Sequence, residues 1–253
     1  MIFALFGYGR FGRAFADLLG QTGHTVRVID AQADVPAALA GGSPAAALDG
    51  ADWVVLAMPV PHLEAALREL RPLLTPQHTV IDVGSVKQHP CQLLDTYLGA
   101  AIPHVGTHPL FGPLSIARNE PRRTVICASA QHPETASRTR ALFASLGCSV
   151  IDKDPAEHDH AMAKTHALAF FIARALVEMG VGDDLSMAPP SFLGLANMLA
   201  AVRGDAGHLF AAIQRENPYA GAARTELIEH LERIHARLVA SDDAMPIPPP
   251  TGA

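Results

Sequence analysis

Six residues near the start of the chain, Gly7-Tyr8-Gly9-Arg10-Phe11-Gly12, have the types and spacing of a phosphate-binding turn. The first glycine permits a tight bend, the second lets the backbone approach a pyrophosphate, and the third lets the next helix pack closely on its strand. The helix N-terminus adds N–H donors and positive potential. Asp30 comes 18 residues after Gly12 and closes the next apolar run, where a carboxylate reaches both hydroxyls of a ribose. That carboxylate repels a 2′-phosphate, and Ala31 and Gln32 beside it bring no cation to hold one. The pattern predicts a dinucleotide site that takes NAD rather than NADP. Met58 and Pro59 end a further apolar run at the predicted ligand-binding edge of the sheet and complete the expected cofactor contacts. A strand simply stopped by proline is the alternative for that pair.

Two later stretches carry chemistry of another kind. Asp82-Val83-Gly84-Ser85-Val86-Lys87 and Gly106-Thr107-His108-Pro109-Leu110-Phe111-Gly112-Pro113 each follow an apolar run. If both runs are parallel strands, Ser85, Lys87 and His108 converge beside a nicotinamide. A neutral imidazole there suits oxidation of an alcohol, because it accepts the hydroxyl proton as hydride leaves carbon. The plain alternatives are a loop histidine bonded to backbone and a serine capping the next helix. The chain has 13 histidines, so each needs its own argument. His24, His62, His78, His89, His132, His230 and His235 fall in turns or on solvated helix faces, and His104 reads as a packed or surface residue rather than a second base. His158-Asp159-His160 does not read as a metal site, since residues two apart on a helix point away from each other. His158 and Asp159 are expected to bond the first turn of their own helix, and no metal is predicted.

These residues need a scaffold, and the hydrophobic pattern supplies one. Strands are predicted over residues 2–6, 25–29, 53–58, 79–83, 102–106, 124–128 and 149–152, with helices over 12–19, 62–70, 88–98 and 133–146. That alternation implies βαβ units and a mostly parallel sheet. Only 22 residues separate Asp30 from Trp53, so the third strand of a full nucleotide-binding half is short or missing. Asp154-Pro155-Ala156-Glu157 then opens a helix with a cap, a first-turn proline and a glutamate at N3. That helix, to about residue 179, is apolar on most faces and is expected to be largely buried. Further helices are predicted over 191–202, 205–215 and 218–239, the last two entered through Asp205 and Asn217. The predicted fold class is α/β: a Rossmann-type, mostly parallel sheet domain over residues 1–153, then an all-α domain over 154–240. The proline-rich tail, 241–253, is expected to be disordered.

Composition narrows the partners. The chain of 253 residues is 49% apolar and 17% charged, with 19 Lys and Arg against 25 Asp and Glu, a net charge of −6. Without a basic cluster, nucleic acid and anionic membrane are poor partners. No uninterrupted apolar run approaches the roughly 18 residues of a membrane span, and residues 1–6 read as a first strand rather than a leader. Three cysteines, Cys91, Cys127 and Cys148, lack C-x-x-C spacing and suit a reducing cytoplasm.

Taken in order, these motifs resemble the prephenate/arogenate dehydrogenase family of tyrosine biosynthesis. The likeness runs from the Gly7 turn through Ser85 and His108, which lie 23 residues apart, to Glu157-His158-Asp159 and Glu216-Asn217-Pro218-Tyr219-Ala220. It implies oxidative decarboxylation of prephenate to 4-hydroxyphenylpyruvate, with NAD⁺ as hydride acceptor. Arogenate or an amino-deoxy analogue of prephenate is the alternative substrate. By the family's pattern His108 takes the hydroxyl hydrogen and Ser85 orients it. Lys87 assists with charge or holds its loop. The ring carboxylate takes an Arg from the helical half, for which Arg203 is the nearest match, a couple of residues out of register. His166 is the expected further substrate contact. The place one turn beyond it, where many relatives carry a histidine, holds Phe170.

Two rivals share the architecture. A β-hydroxyacid dehydrogenase or imine reductase would place a Lys on the first long helix, as Lys164 is, but leaves the His108 motif unexplained. A non-catalytic nucleotide-binding protein would have no need of Ser85, Lys87 and His108 together. The apolar first helix of the second half also predicts a homodimer built on a shared helical core.

Overall fold

The computed structural model describes residues 1–204 and 207–240. Asp205, expected to cap a helix, and the tail 241–253, expected to be disordered, lie outside the described residues. Seven strands, β1 (Ile2–Phe6), β2 (Thr25–Ile29), β3 (Trp53–Leu56), β4 (Thr79–Asp82), β5 (His104–Pro109), β6 (Arg122–Cys127) and β7 (Cys148–Asp152), form one sheet in the order β2-β1-β3-β4-β5-β6-β7. Every neighbouring pair is parallel except β5 and β6. The chain reverses its direction of travel across the sheet between β1 and β3, which is the switch point where α/β sheets open a ligand crevice.

The interior strands are buried on both faces because helices cover both. On one side lie α1 (Arg10–Gln21) and, further along, α6 (Pro133–Ser145), with Phe15, Leu18 and Leu19 meeting Leu142 and Phe143 against β1 and β3. Phe11, Phe15, Leu18 and Leu19 recur at helical spacing, which is why α1 presents one apolar stripe to the sheet. On the other side lie α2 (Pro44–Leu48), α3 (Leu63–Leu70) and α4 (Gln88–Leu98), which pack Leu48, Leu63, Leu67 and Leu94 onto the sheet. The missing third strand is reduced to a single bridge between Val28 and Ala40.

Strand β5 departs from the sequence expectation of 102–106. It starts later and runs on to Pro109, because the antiparallel partner β6 pairs His108 with Val125 and Pro109 with Thr124. His108 is therefore a strand residue rather than a loop residue. The short α5 (Pro113–Ala117) follows it.

Beyond β7 the chain is helical. Asp154 caps α7 (Pro155–Met162) by accepting from the N–H groups of Ala156 and Glu157, at 2.9 and 2.8 Å. The helix widens to a π-turn over Ala163–Ala167 and continues as α8 (Leu168–Glu178). Gly180, at φ +77°, supplies the left-handed residue that ends it. Then come α9 (Pro190–Arg203), α10 (His208–Arg215) and α11 (Ala220–Val239). The expectation that the first long helix is largely buried fails within one chain: of α8 only Ala173 is fully covered. Its remaining large apolar side chains are half-buried.

Candidate active site

The glycine turn joins β1 to α1, and its three glycines are needed for three different reasons. Gly7 stands at φ +107°, and a Cβ there would fall 2.7 Å from the Ala57 carbonyl carbon, so β3 passes directly beneath. A Cβ on Gly12 would lie 2.2 Å from the Gly7 oxygen, so this glycine lets helix and turn touch. Nothing lies within 4 Å of a Cβ on Gly9. That residue is the N-cap of α1, no side chain caps it, and the first turn carries no acidic group. Open space before uncapped N–H donors is the setting a pyrophosphate needs. Asp30, at the end of β2, accepts from Tyr8 N at 2.6 Å and from Gln32 N and Ala33 N at 2.8 Å. Burial alone would raise its carboxyl, but those three donors and the Arg13 charge outweigh it and hold it below the ordinary range. An ionised Asp30 thus stands beside the turn, and the residues fit a dinucleotide.

The other members of the predicted cofactor set divide. Tyr8 is buried under the Arg13 guanidinium, 4.8 Å from its ring centroid, and Phe11 packs on Phe15 and Phe111. Both side chains belong to the core, which leaves only their backbone for a ligand. Arg10 is exposed and donates to the Gly204 carbonyl of the helical half. Met58 is half-buried against the α3 side of the sheet, while Pro59 is exposed.

Across the crevice, β4 and β5 end side by side. Lys87 is fully buried, and its Nζ is held by the Asp82 carboxylate. The same carboxylate accepts from Gly84 N at 3.0 Å, and Thr107 Oγ1 donates to the Asp82 carbonyl at 2.5 Å. Lys87, for which a substrate contact and a loop-holding role were both open, ties the loop after β4 back to the end of that strand. Ser85 is half-buried, and among the described residues its hydroxyl makes no hydrogen bond to His108. The orienting partner of His108 is a different residue.

That partner is His158. His108 Nδ1 lies 2.8 Å from His158 Nε2, and His158 Nδ1 lies 2.8 Å from Asp159 Oδ1. Asp159 also accepts from Lys87 N at 2.7 Å and Gln88 N at 2.8 Å. It therefore caps α4 from a helix 72 positions away, in a place where α4 has no side-chain cap of its own. The expectation that His158 and Asp159 bond the first turn of their own helix is thus corrected: Asp154 already does that. The direction of the chain of bonds follows from donor chemistry. A carboxylate accepting from two backbone N–H groups takes the His158 Nδ1 proton. His158 Nε2 is then a lone pair, His108 Nδ1 carries the proton, and His108 Nε2 is left as the free base.

All three members are buried, with His108 4% and Asp159 0% exposed. Burial pushes His108 well below the ordinary histidine value, and His158, His166 and the Lys87 charge push the same way. His166 is lowered to about 4 by burial and then by His158. Its ring faces His108 at 6.1 Å and 18°, and meets Phe170 edge-on at 4.8 Å. In an uninterrupted α-helix, residues eight apart stand about 80° apart around the axis. The π-turn between His158 and His166 is wider, and turns the second histidine back toward the face of the first.

Arg203 is not gathered into this cluster. Its guanidinium is held by the Asp183 carboxylate and reaches the Val181 carbonyl at 3.4 Å. His104 is packed, with its ring nitrogens 2.8 Å from the Ile102 carbonyl and from Asp95. Lys164 is exposed and lines a groove with Glu226 and His230. Among the described residues no group of three or more His, Cys, Asp or Glu is arranged to hold a metal. The His158–Asp159 pair is what the sequence reading missed. The available signal was that Asp154 had already satisfied the helix start, which left two polar side chains on a buried face without a task.

Comparison with known proteins places this geometry. Residues 21–133 match the model of the prephenate dehydrogenase nucleotide-binding domain. Over 253 aligned residues the chain is 29% identical to a 4-amino-4-deoxyprephenate dehydrogenase of Streptomyces pristinaespiralis, covering 94% of this chain and 84% of that protein. It is 29% identical to the T-protein of Haemophilus influenzae over 77% of its own length and 46% of the T-protein's, so it spans about half of that relative. The chain is thus similar to prephenate and arogenate dehydrogenases, most directly through its nucleotide-binding region. The matched region is a nucleotide-binding domain, and these relatives are dehydrogenases. The fold agrees with the A. aeolicus prephenate dehydrogenase solved with hydroxyphenyl propionate and NAD⁺, at a TM-score of 0.75 and 21% identity over 96% of this chain and 92% of that one.

Proposed function

We propose that this dehydrogenase converts prephenate to 4-hydroxyphenylpyruvate and carbon dioxide, with His108 as its catalytic residue. The observation that carries the reading is a buried, neutral imidazole whose outer nitrogen is fixed as the lone pair by His158 and Asp159. NAD⁺, when bound at Gly7–Gly12 with its ribose on Asp30, supplies the hydride acceptor. His108 Nε2 accepts the hydrogen of the ring hydroxyl while the hydroxyl carbon is oxidised. The ring carboxylate departs as carbon dioxide, and the electron pair of the broken C–C bond closes the aromatic ring. The ring oxygen takes the proton back from His108 Nε2 as it becomes a phenol, so His108 ends the cycle neutral as it began. Ser85, in the loop after β4 and without a hydrogen-bond partner among the described residues, is placed to bond the substrate rather than His108. His166, neutral at physiological pH, serves as a contact for the substrate beside the base. Residues 1–153 hold the cofactor and the base, while residues 154–240 supply the relay and the substrate contacts.

A second reading takes 4-amino-4-deoxyprephenate as the substrate, and is favoured by the relative of that name, which aligns over most of both chains. One assay separates them: purified protein with NAD⁺ and each of prephenate, arogenate, 4-amino-4-deoxyprephenate and 3-hydroxyisobutyrate, followed by absorbance of the reduced cofactor. Highest kcat/KM with prephenate is expected. Turnover of the amino analogue alone would move the assignment to the second reading, and turnover of 3-hydroxyisobutyrate alone would overturn both.

We also propose a cytoplasmic homodimer. Its support is three free cysteines and a helical half that exposes Met179, Leu193, Leu231, Ile234 and Leu238. No helix of the described residues is long and apolar enough to cross a membrane.

A further inference from the structure

The π-turn that aims His166 is held from outside its own helix. Gln214, on the last turn of α10, is 8% exposed and donates from Nε2 to the Ala167 carbonyl at 2.7 Å. Arg224 of α11 donates to Gln214 Oε1 at 2.7 Å and to the Gln214 carbonyl at 3.0 Å. A guanidinium has no acceptor, so the amide can lie only one way round: oxygen to Arg224, nitrogen to Ala167. Ala167, Ile213 and Ala220 close over this contact and keep water from the Ala167 carbonyl. Eight residues earlier, Asn217 Nδ2 holds the Asp159 carbonyl at 2.7 Å. The corner between α10 and α11 thus grips the histidine-bearing helix at both ends of the segment that runs from His158 to His166. Asn217 grips it on the relay side and Gln214 on the substrate side.

We infer that Gln214, oriented by Arg224, is a positioning residue for His166 and so tunes the binding of the ring substrate without touching it. The inference rests on the proposed contact between His166 and substrate. Among the described residues, neither Gln214 nor Arg224 bonds any member of the His108–His158–Asp159 chain. Its effect therefore belongs in the substrate KM and not in kcat or in the KM for NAD⁺.

The test compares the parent with Gln214→Met, Gln214→Glu, His166→Ala and the double variant Gln214→Met/His166→Ala, using prephenate and NAD⁺. Gln214→Met removes the donor and is expected to raise the prephenate KM about tenfold, the scale of a lost hydrogen bond to a buried carbonyl. Gln214→Glu keeps the shape and the Arg224 partner but turns an acceptor toward the Ala167 carbonyl, and is expected to behave like Gln214→Met. In the His166→Ala background the Gln214→Met change should add nothing, because the two act through one side chain. An NMR titration of His166, without substrate, should find its value moving up from about 4 in Gln214→Met as the ring leaves its buried seat. Should Gln214→Met fail to fold, Arg224→Met leaves the amide in place but free to turn over, and is expected to raise the KM less. A KM rise of equal size in both backgrounds, or a folded Gln214→Glu with the parent's KM, would overturn the inference. If His166→Ala alone leaves KM unchanged, the substrate-contact reading fails, and the titration of His166 still decides whether Gln214 positions the ring.

Discussion

His108 Nδ1 faces His158, and that contact fixes which nitrogen of the proposed base is free. Replacing His158 with Phe removes the acceptor and strands a buried N–H, at a cost of about 1–3 kcal/mol. Carried into the transition state, that is roughly a 5- to 150-fold loss of kcat. His158→Phe is therefore expected to lower kcat within this range while the KM for NAD⁺ stays at the parent value; unchanged turnover in steady-state assays would remove His158 from the mechanism. At this scale the sequence pointed to the proposed base and hid its support. His108 stands in a stretch whose residue types carry the chemistry, so it was legible without coordinates. The Asp159 bond to Lys87 N spans 72 positions, and no local pattern records it. Of the two roles open to Lys87 in the sequence, its burial on Asp82 favours holding the loop over reaching a ligand.

The elements were legible where they are local and periodic. The glycine turn, the alternating strands and the Asp154 cap follow from spacing and side-chain chemistry within a few residues. The limits of β5 did not, because they are set by the antiparallel pairing with β6 and not by β5's own residues. Nor did the π-turn, whose residues Ala163-Lys164-Thr165-His166-Ala167 have no distinguishing composition. The glycine turn gives a sharp element-level contrast. Gly12→Ala drives a Cβ to 2.2 Å from the Gly7 oxygen and should lower the thermal midpoint by several degrees or prevent folding. Gly9→Ala meets nothing within 4 Å, and should keep the parent's thermal midpoint while raising the KM for NAD⁺ about tenfold or more, since the added methyl enters the proposed pyrophosphate seat. Equal thermal loss in both variants would contradict these separate roles.

At the scale of the whole molecule, the sheet and the helical bundle each bring half of the site. His108, Ser85 and the nucleotide turn come from the sheet; His158, Asp159 and His166 come from α7 and the π-turn. The joint between them is polar and buried, so the two halves hold each other in register through the same bonds that orient the base. Apolar side chains of α9 and α11 stay exposed in one chain, and light scattering is expected to give twice the 26.7 kDa of a single chain. A mass near 26.7 kDa would contradict the dimer. The most direct test of the account is the pH profile of kcat/KM for prephenate at saturating NAD⁺, in the parent and in His108→Asn. Because His108 is held well below 6.5, it stays neutral as the pH falls through that value. The parent's profile should then stay flat through pH 6.5 and fall only at more acid pH, with His108→Asn lower by roughly 10²–10⁴-fold and lacking the acid limb. A His108→Asn protein with near-parent activity and the same acid limb would contradict it.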